Sequence, residues 1–203
     1  MSGLLPRFWR NECGGPAAEF ALVVPILLLF LLGILDAGRL MWTWNEAEKA
    51  TQMGVRFAVA TNPVASGIKT YSYAVSGGIP QGDPIPSSSF SGISCTSAAC
   101  TCKSGGACPF GTARDGTAFT ALVARMARFK SDITAADVTI DYDYSGLGYA
   151  GDPNGPDVAP LVTVRLRNLT FTPVTAMLFG AQLTLPDFAA TLSMEDGDGT
   201  TSN

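Results

Sequence analysis

From Phe20 to Leu35 the chain reads FALVVPILLLFLLGIL without one charged side chain, and Ala17 and Ala18 extend the apolar stretch upstream past the single carboxylate of Glu19. A helix over Ala17 to Leu35 rises roughly 1.5 Å per residue and spans about 28 Å, close to the hydrocarbon thickness of a bilayer. The segment therefore reads as a membrane-spanning helix. Arg7 and Arg10 precede it, no acid comes before Glu12, and Asp36 follows at once. That bias of cations places the N-terminus in the cytoplasm. Trp42 and Trp44 lie two or three turns beyond Leu35, suited to the far membrane–water interface. A cleaved signal peptide shares the basic start and the apolar core. Its cleavage site, however, wants small residues in an A-x-A pattern, and around Leu35-Asp36-Ala37 the first of these is leucine.

The 47% hydrophobic content and the mean hydropathy of +0.24 combine this span of nearly uniform apolarity with an external part of ordinary composition. The net charge of -4, with an isoelectric point near 4.7, argues against a chain that coats nucleic acid phosphates. There is no histidine among the 203 residues. His-dependent triads and His-ligated zinc sites are thereby excluded. The sequence also lacks a G-x-S-x-G elbow and a GxxxxGK[ST] loop. No enzyme is expected, and no cofactor or resident metal.

Five cysteines fall on two sides of the span. Cys13 precedes it, on the reducing side, while Cys95, Cys100, Cys102 and Cys108 follow it. Four cysteines in an oxidising compartment predict two disulfides, with three possible connectivities. A four-cysteine zinc site is the rival reading, but the C-x4-C-x-C-x5-C spacing lacks the paired C-x2-C knuckles of zinc ribbons.

Beyond Leu35 the helix is expected to continue. Leu40, Trp44, Ala47, Thr51, Gly54 and Ala58 recur at steps of three and four, with Glu46, Lys49, Gln52 and Arg56 on the other side. Asn62-Pro63 ends it. Residues 61–115 are rich in Gly, Pro and Ser and read as a loop region stapled by the cysteines, with little apolar content of its own. Residues 116–131 read as a second helix, with Phe119, Leu122, Val123, Met126 and Phe129 on one stripe. Two strands follow: Val138, Ile140, Tyr142 and Tyr144 alternate with Thr139, Asp141 and Asp143, and Val162, Val164 and Leu166 alternate with Thr163, Arg165 and Arg167. Paired antiparallel, they let Asp and Arg side chains face each other, while Asp141 and Asp143 otherwise read as a solvent face. Thr172-Pro173 before VTAMLF and Gly180 after it frame a short helix. A last strand carries Phe188, Ala190, Leu192 and Met194 on one face, ahead of a frayed acidic tail. The plan is α+β and pilin-like: a transmembrane helix running on as a long amphipathic helix, packed on a small antiparallel sheet. Its segments are a basic leader (1–14), the helix (15–60), the loop region (61–115), and a helix-plus-sheet domain (116–203).

A carboxylate at the edge of hydrocarbon costs about 1–3 kcal/mol if unpaired, so Glu19 calls for a partner, a function, or solvation in the headgroups. Here residues 10–39, RNECGGPAAEFALVVPILLLFLLGILDAGR, resemble the TadE-like minor pseudopilins of the tight-adherence (Tad, Flp-type) pilus system. A glycine-ended basic leader meets small residues, then Glu19-Phe20, an apolar run with an early proline, and an acid and an arginine beyond. The segments GLGYAGDPNGPDVAPLVTVRL and LPDF...LSMEDG are also similar to a subset of that family.

The resemblance implies residence in a bacterial inner membrane, with the C-terminal part periplasmic or extracellular. It further implies cleavage by a membrane prepilin peptidase, and partners among other Tad pilus subunits and inner-membrane assembly proteins. Cleavage between Gly14 and Gly15 makes Glu19 the fifth residue, whereas cleavage after Gly15 requires breaking a Gly-Pro bond, whose amide lacks a donor and has a fixed φ. Pro16 departs from the family, where alanine is usual. Glu19 is then expected to neutralise the new amino group of a neighbouring subunit. The competing reading is an unprocessed, single-pass anchored periplasmic binding or adhesion protein that uses the 61–115 loop to meet its target. Asp152, Asn154 and Asp157 could ligate calcium, but their spacing does not match an EF-hand loop.

Overall fold

The computed structural model of the chain describes residues 15–103, 108–176, 180–194, 197 and 199. Helix α1 runs without interruption over Gly15–Ala60. At the standard rise this is about 69 Å of helix. Pro25 lies inside it and removes one donor from the ladder, a loss that helices in lipid tolerate. The chain divides into two compact units, the first made of residues 1–42 and 171–183, the second of residues 43–170 and 184–203.

In the second unit, the C-terminal half of α1 packs on a five-stranded antiparallel sheet in the order β2-β1-β3-β4-β7. These strands are β1 (Ile93–Cys95), β2 (Cys100–Cys102), β3 (Val138–Asp143), β4 (Leu161–Leu166) and β7 (Phe188–Ser193). The expected α+β plan is therefore present. Alternation aligns Val138 with Leu166, Ile140 with Val164 and Tyr142 with Val162 across the β3–β4 pair, and all six side chains are buried. On α1, Ala47, Thr51, Gly54 and Ala58 are buried as their spacing predicts. Gly54 is a point of close approach between the layers: a Cβ there would stand 2.8 Å from Met126 Cγ and 3.4 Å from a methyl of Val164. Met126 belongs to helix α3 (Gly116–Ala127), while α2 is a single turn over Gly67–Thr70. Asp115 caps α3, accepting hydrogen bonds from the amides of Thr117 and Ala118, a device worth about 1 kcal/mol. The helix is shorter than the expected 116–131: its end tightens into three-residue bonds, from the Arg128 amide to the Arg125 carbonyl and from the Phe129 amide to the Met126 carbonyl.

The region expected to be a loop contributes more than a staple. Cys95, Cys100 and Cys102 sit on the β1–β2 hairpin, which adds two strands to the sheet through pairing of β1 with β3. It also has an apolar interior of its own, since Tyr73, Ile85, Phe90, Ile93 and Phe110 are buried and the rings of Phe90 and Phe110 stack at 5.2 Å. The disulfides join Cys95 to Cys100 and Cys102 to Cys108. Tyr142, fully buried, accepts a hydrogen bond from the Val64 amide through its hydroxyl and so ties the exit of α1 to the sheet. Burial pushes its pKa well up.

Several side chains depart from the alternation, and Thr139 and Thr163 on the polar faces are buried. Tyr144 lies past the end of β3 and donates to the Ile85 carbonyl. Leu192 is 40% exposed, because β7 is an edge strand. Asp141 is buried rather than solvent-facing. It occupies a central strand, where Arg165 Nε reaches it at 2.9 Å and Lys103 Nζ lies 3.8 Å away. The expected Asp–Arg pairing is thus real, but it runs diagonally, since Asp141 sits opposite Thr163 and Arg165 opposite Thr139. Burial alone would raise the Asp141 pKa. The Ser94 hydroxyl, Arg165 and Lys103 outweigh that and hold it below the ordinary carboxylate value.

Candidate functional site

The site lies on the N-terminal part of α1. Gly15 is the first residue of the helix, and Gly14, its partner in the expected cleavage, lies outside the described residues together with the rest of the leader. Glu19 and Phe20 are both exposed. Glu19 makes no hydrogen bond or ion pair with any of the described residues. From Phe20 to Leu35 nearly every side chain is exposed, and the helix is long and apolar enough to cross a membrane. A stretch of Leu, Ile and Phe left bare by its own chain needs a non-aqueous surrounding, since burying each such side chain is worth about 1.5–3 kcal/mol.

One face of this stretch is concave. Ile26, Leu29, Phe30, Gly33, Ile34 and Ala37 line a shallow apolar groove, and a Cβ at Gly33 would meet nothing within 4 Å. Steps of seven, four, three and four connect Glu19, Ile26, Phe30, Gly33 and Ala37, which puts the carboxylate on the groove's own face.

The second acid bordering the span behaves in the opposite way. Asp36 is 7% exposed, and its carboxylate accepts from the Val174 amide at 2.6 Å, the Thr175 amide at 2.9 Å and the Thr175 hydroxyl at 2.8 Å. Arg39 closes the cluster at 3.2 Å, with its guanidinium over the ring of Phe171 at 5.3 Å and within 3.5 Å of the Thr172 carbonyl. Burial raises the Asp36 pKa, yet the two amides, the hydroxyl and Arg39 prevail and lower it below its ordinary value. The short helix expected after Thr172-Pro173 is seen in part: the Ala176 amide donates to Pro173 and that of Gly180 to Ala176. Gly180 takes a φ of +65°, and residues 177–179 lie outside the described set. The sequence marked Asp36 only as a charge after the span. Its role as the acceptor for a segment 138 residues later depends on tertiary closure.

Trp42 is 69% exposed, in keeping with an interfacial position, but Trp44 is not free for one. Its ring packs edge-on against Phe188 at 5.0 Å, because Trp44 shares the helical face of Ala47 and Thr51. In the suggested calcium turn, Asp157 accepts from the amides of Tyr73 and Asp152, so its carboxylate serves as a clamp between loops.

Compared with known families, residues 14–56 match the model of the TadE-like proteins. The chain carries a TadE-like N-terminal region. This region contains Gly14, Gly15, Glu19, the whole apolar run and Asp36, and it ends just short of the end of α1. No curated protein and no solved structure matches the chain. The TadE-like region thus covers the candidate site and leaves out the sheet.

Proposed function

We propose that this chain is a minor pseudopilin of a tight-adherence pilus system, without enzymatic activity. In this reading it is anchored in the inner membrane with its N-terminus in the cytoplasm, and a prepilin peptidase processes it between Gly14 and Gly15. The observation that carries the reading is Glu19, a carboxylate at the head of a bare apolar helix with no partner among the described residues. An unpaired charge at that depth is costly, and a cation supplied by another subunit removes the cost. The groove along Ile26, Phe30, Gly33 and Ala37 supports the same reading. Small residues four apart let a second helix approach closely in lipid, and Glu19 lies on that face.

The test is the mass of the full-length protein expressed with and without a prepilin peptidase. Loss of Met1 to Gly14 that depends on the peptidase supports the proposal. An intact N-terminus in a strain that processes its own pilins overturns it, in favour of a plain anchored binding protein.

A further inference from the structure

From Asn168 to Pro186 the chain carries no charged side chain, while Arg167 and Asp187 flank it and pair with each other at 3.3 Å. The middle of this segment belongs to the same compact unit as the first part of α1. Strands β5 (Thr170–Phe171) and β6 (Leu183–Thr184) form a two-stranded sheet at its base. The segment is held at a defined height on the helix. Its attachment points are Asp36 and Arg39, the first charged residues after the apolar run, so Val174 and Thr175 sit within one turn of Leu35 along the axis. Apolar side chains remain exposed at this level: Leu35 (45%), Met41 (61%), Trp42 (69%) and Leu183 (47%).

An uncharged excursion pinned one turn beyond the end of a membrane span lies in the headgroup layer of the bilayer, where amphipathic surfaces and tryptophan are favoured. We infer that residues 171–176 and 180–183 form an interfacial collar whose partner is the lipid surface that α1 leaves, and that the Asp36 carboxylate sets its depth. The satisfied carboxylate explains how an acid is tolerated there. Its charge is spent on two amides, a hydroxyl and Arg39, so no bare ion faces the lipid. The inference rests on the membrane-spanning reading of α1 and adds to it a second contact with the same membrane.

The test uses the full chain with Cys13→Ser, reconstituted in phosphatidylcholine–phosphatidylglycerol nanodiscs and spin-labelled in turn at Leu29→Cys, Leu183→Cys and Val75→Cys. Accessibility to oxygen and to a water-soluble nickel chelate is then measured. Leu29 should be open to oxygen and closed to nickel, and Val75, which is 86% exposed, fully open to nickel. Leu183 should be severalfold less open to nickel than Val75, at headgroup depth. Asp36→Ala should raise nickel access at Leu183 to the Val75 level, with Asp36→Asn, which keeps an acceptor oxygen, falling between. Leu183 as open as Val75 while Leu29 is shielded overturns the collar alone. A nickel-accessible Leu29 instead overturns the span itself. An unchanged depth in Asp36→Ala overturns the role given to Asp36.

Discussion

The two halves of α1 are one continuous helix in two different surroundings. Between Phe20 and Leu35 the side chains lie open, whereas Ala47, Ala50, Thr51, Gly54, Val55, Phe57, Ala58 and Val59 are buried by the chain itself. The same contrast separates the two acids that border the apolar run. Glu19 has no partner within the described residues, and Asp36 has four groups around it. Helix propensity alone does not distinguish the halves, because packing, not propensity, decides where helical stability comes from. The buried half and Asp36 are completed by this chain. The bare half and Glu19 are not completed by the described residues, and in the proposed reading lipid and other subunits complete them.

Truncation is the strongest way to break this comparison. Leu122→Ala, in the fully buried stripe of α3, should cost about 2–5 kcal/mol of stability. Leu29→Ala, on the bare half, should shift unfolding of the detergent-solubilised full chain by less than about 0.5 kcal/mol. Near-UV circular dichroism against denaturant gives both values, and equal losses would show that the bare half is packed after all.

Next in size, Cys95→Ser with Cys100→Ser should cost roughly 2 kcal/mol by the loop-entropy relation for a short closed loop, read as a lowered denaturation midpoint. Asp141→Ala strips a buried acceptor from Arg165, Lys103 and Ser94 and should cost about 1–3 kcal/mol. Both effects belong to the self-completed region.

The pH dependence sharpens the contrast further. Asp36 and Asp141 have folded pKa values below the ordinary 3.8. Their contribution is therefore fully present above 3.8 and fades as the pH falls below it through the lower folded values. Hydrogen exchange at the Val174 and Thr175 amides should accelerate below about pH 4 and be insensitive to pH-dependent stability between 5 and 8 once intrinsic rates are corrected. The smallest expected effect on stability is that of Glu19→Ala, close to zero, with membrane insertion retained and incorporation into the pilus lost. Cofractionation with assembled pili checks it, and normal incorporation would remove Glu19 from the mechanism.

Much of this contrast can be read from the residues. The uncharged run from Phe20 to Leu35 and the three-and-four spacing from Ala47 to Ala58 describe the two halves of α1, and Asn62-Pro63 marks its end. Strict alternation marks β3 and β4. What escapes is whatever depends on distant closure or on elements too short to show a period. The strands Ile93–Cys95 and Cys100–Cys102 offer three residues each amid Ser and Thr, so the hairpin looked like loop. The two disulfides were open to three pairings until the hairpin set Cys95 opposite Cys100. Asp141 alternates like a surface residue, and only its place in a central strand reveals burial. Within the candidate site, Glu19 stands out because nothing near it in sequence explains it. Asp36 looks unremarked until Val174 and Thr175 are brought to it.

The pairing of the cysteines bears on how the protein matures. Each bridge joins a cysteine to the next one in the chain, with separations of 5 and 6 residues. In the proposed topology the segment after α1 is exported in chain order, so Cys100 reaches Cys95 before Cys108 emerges to meet Cys102. An oxidant acting on each thiol as it emerges would then favour the native bonds by order of arrival.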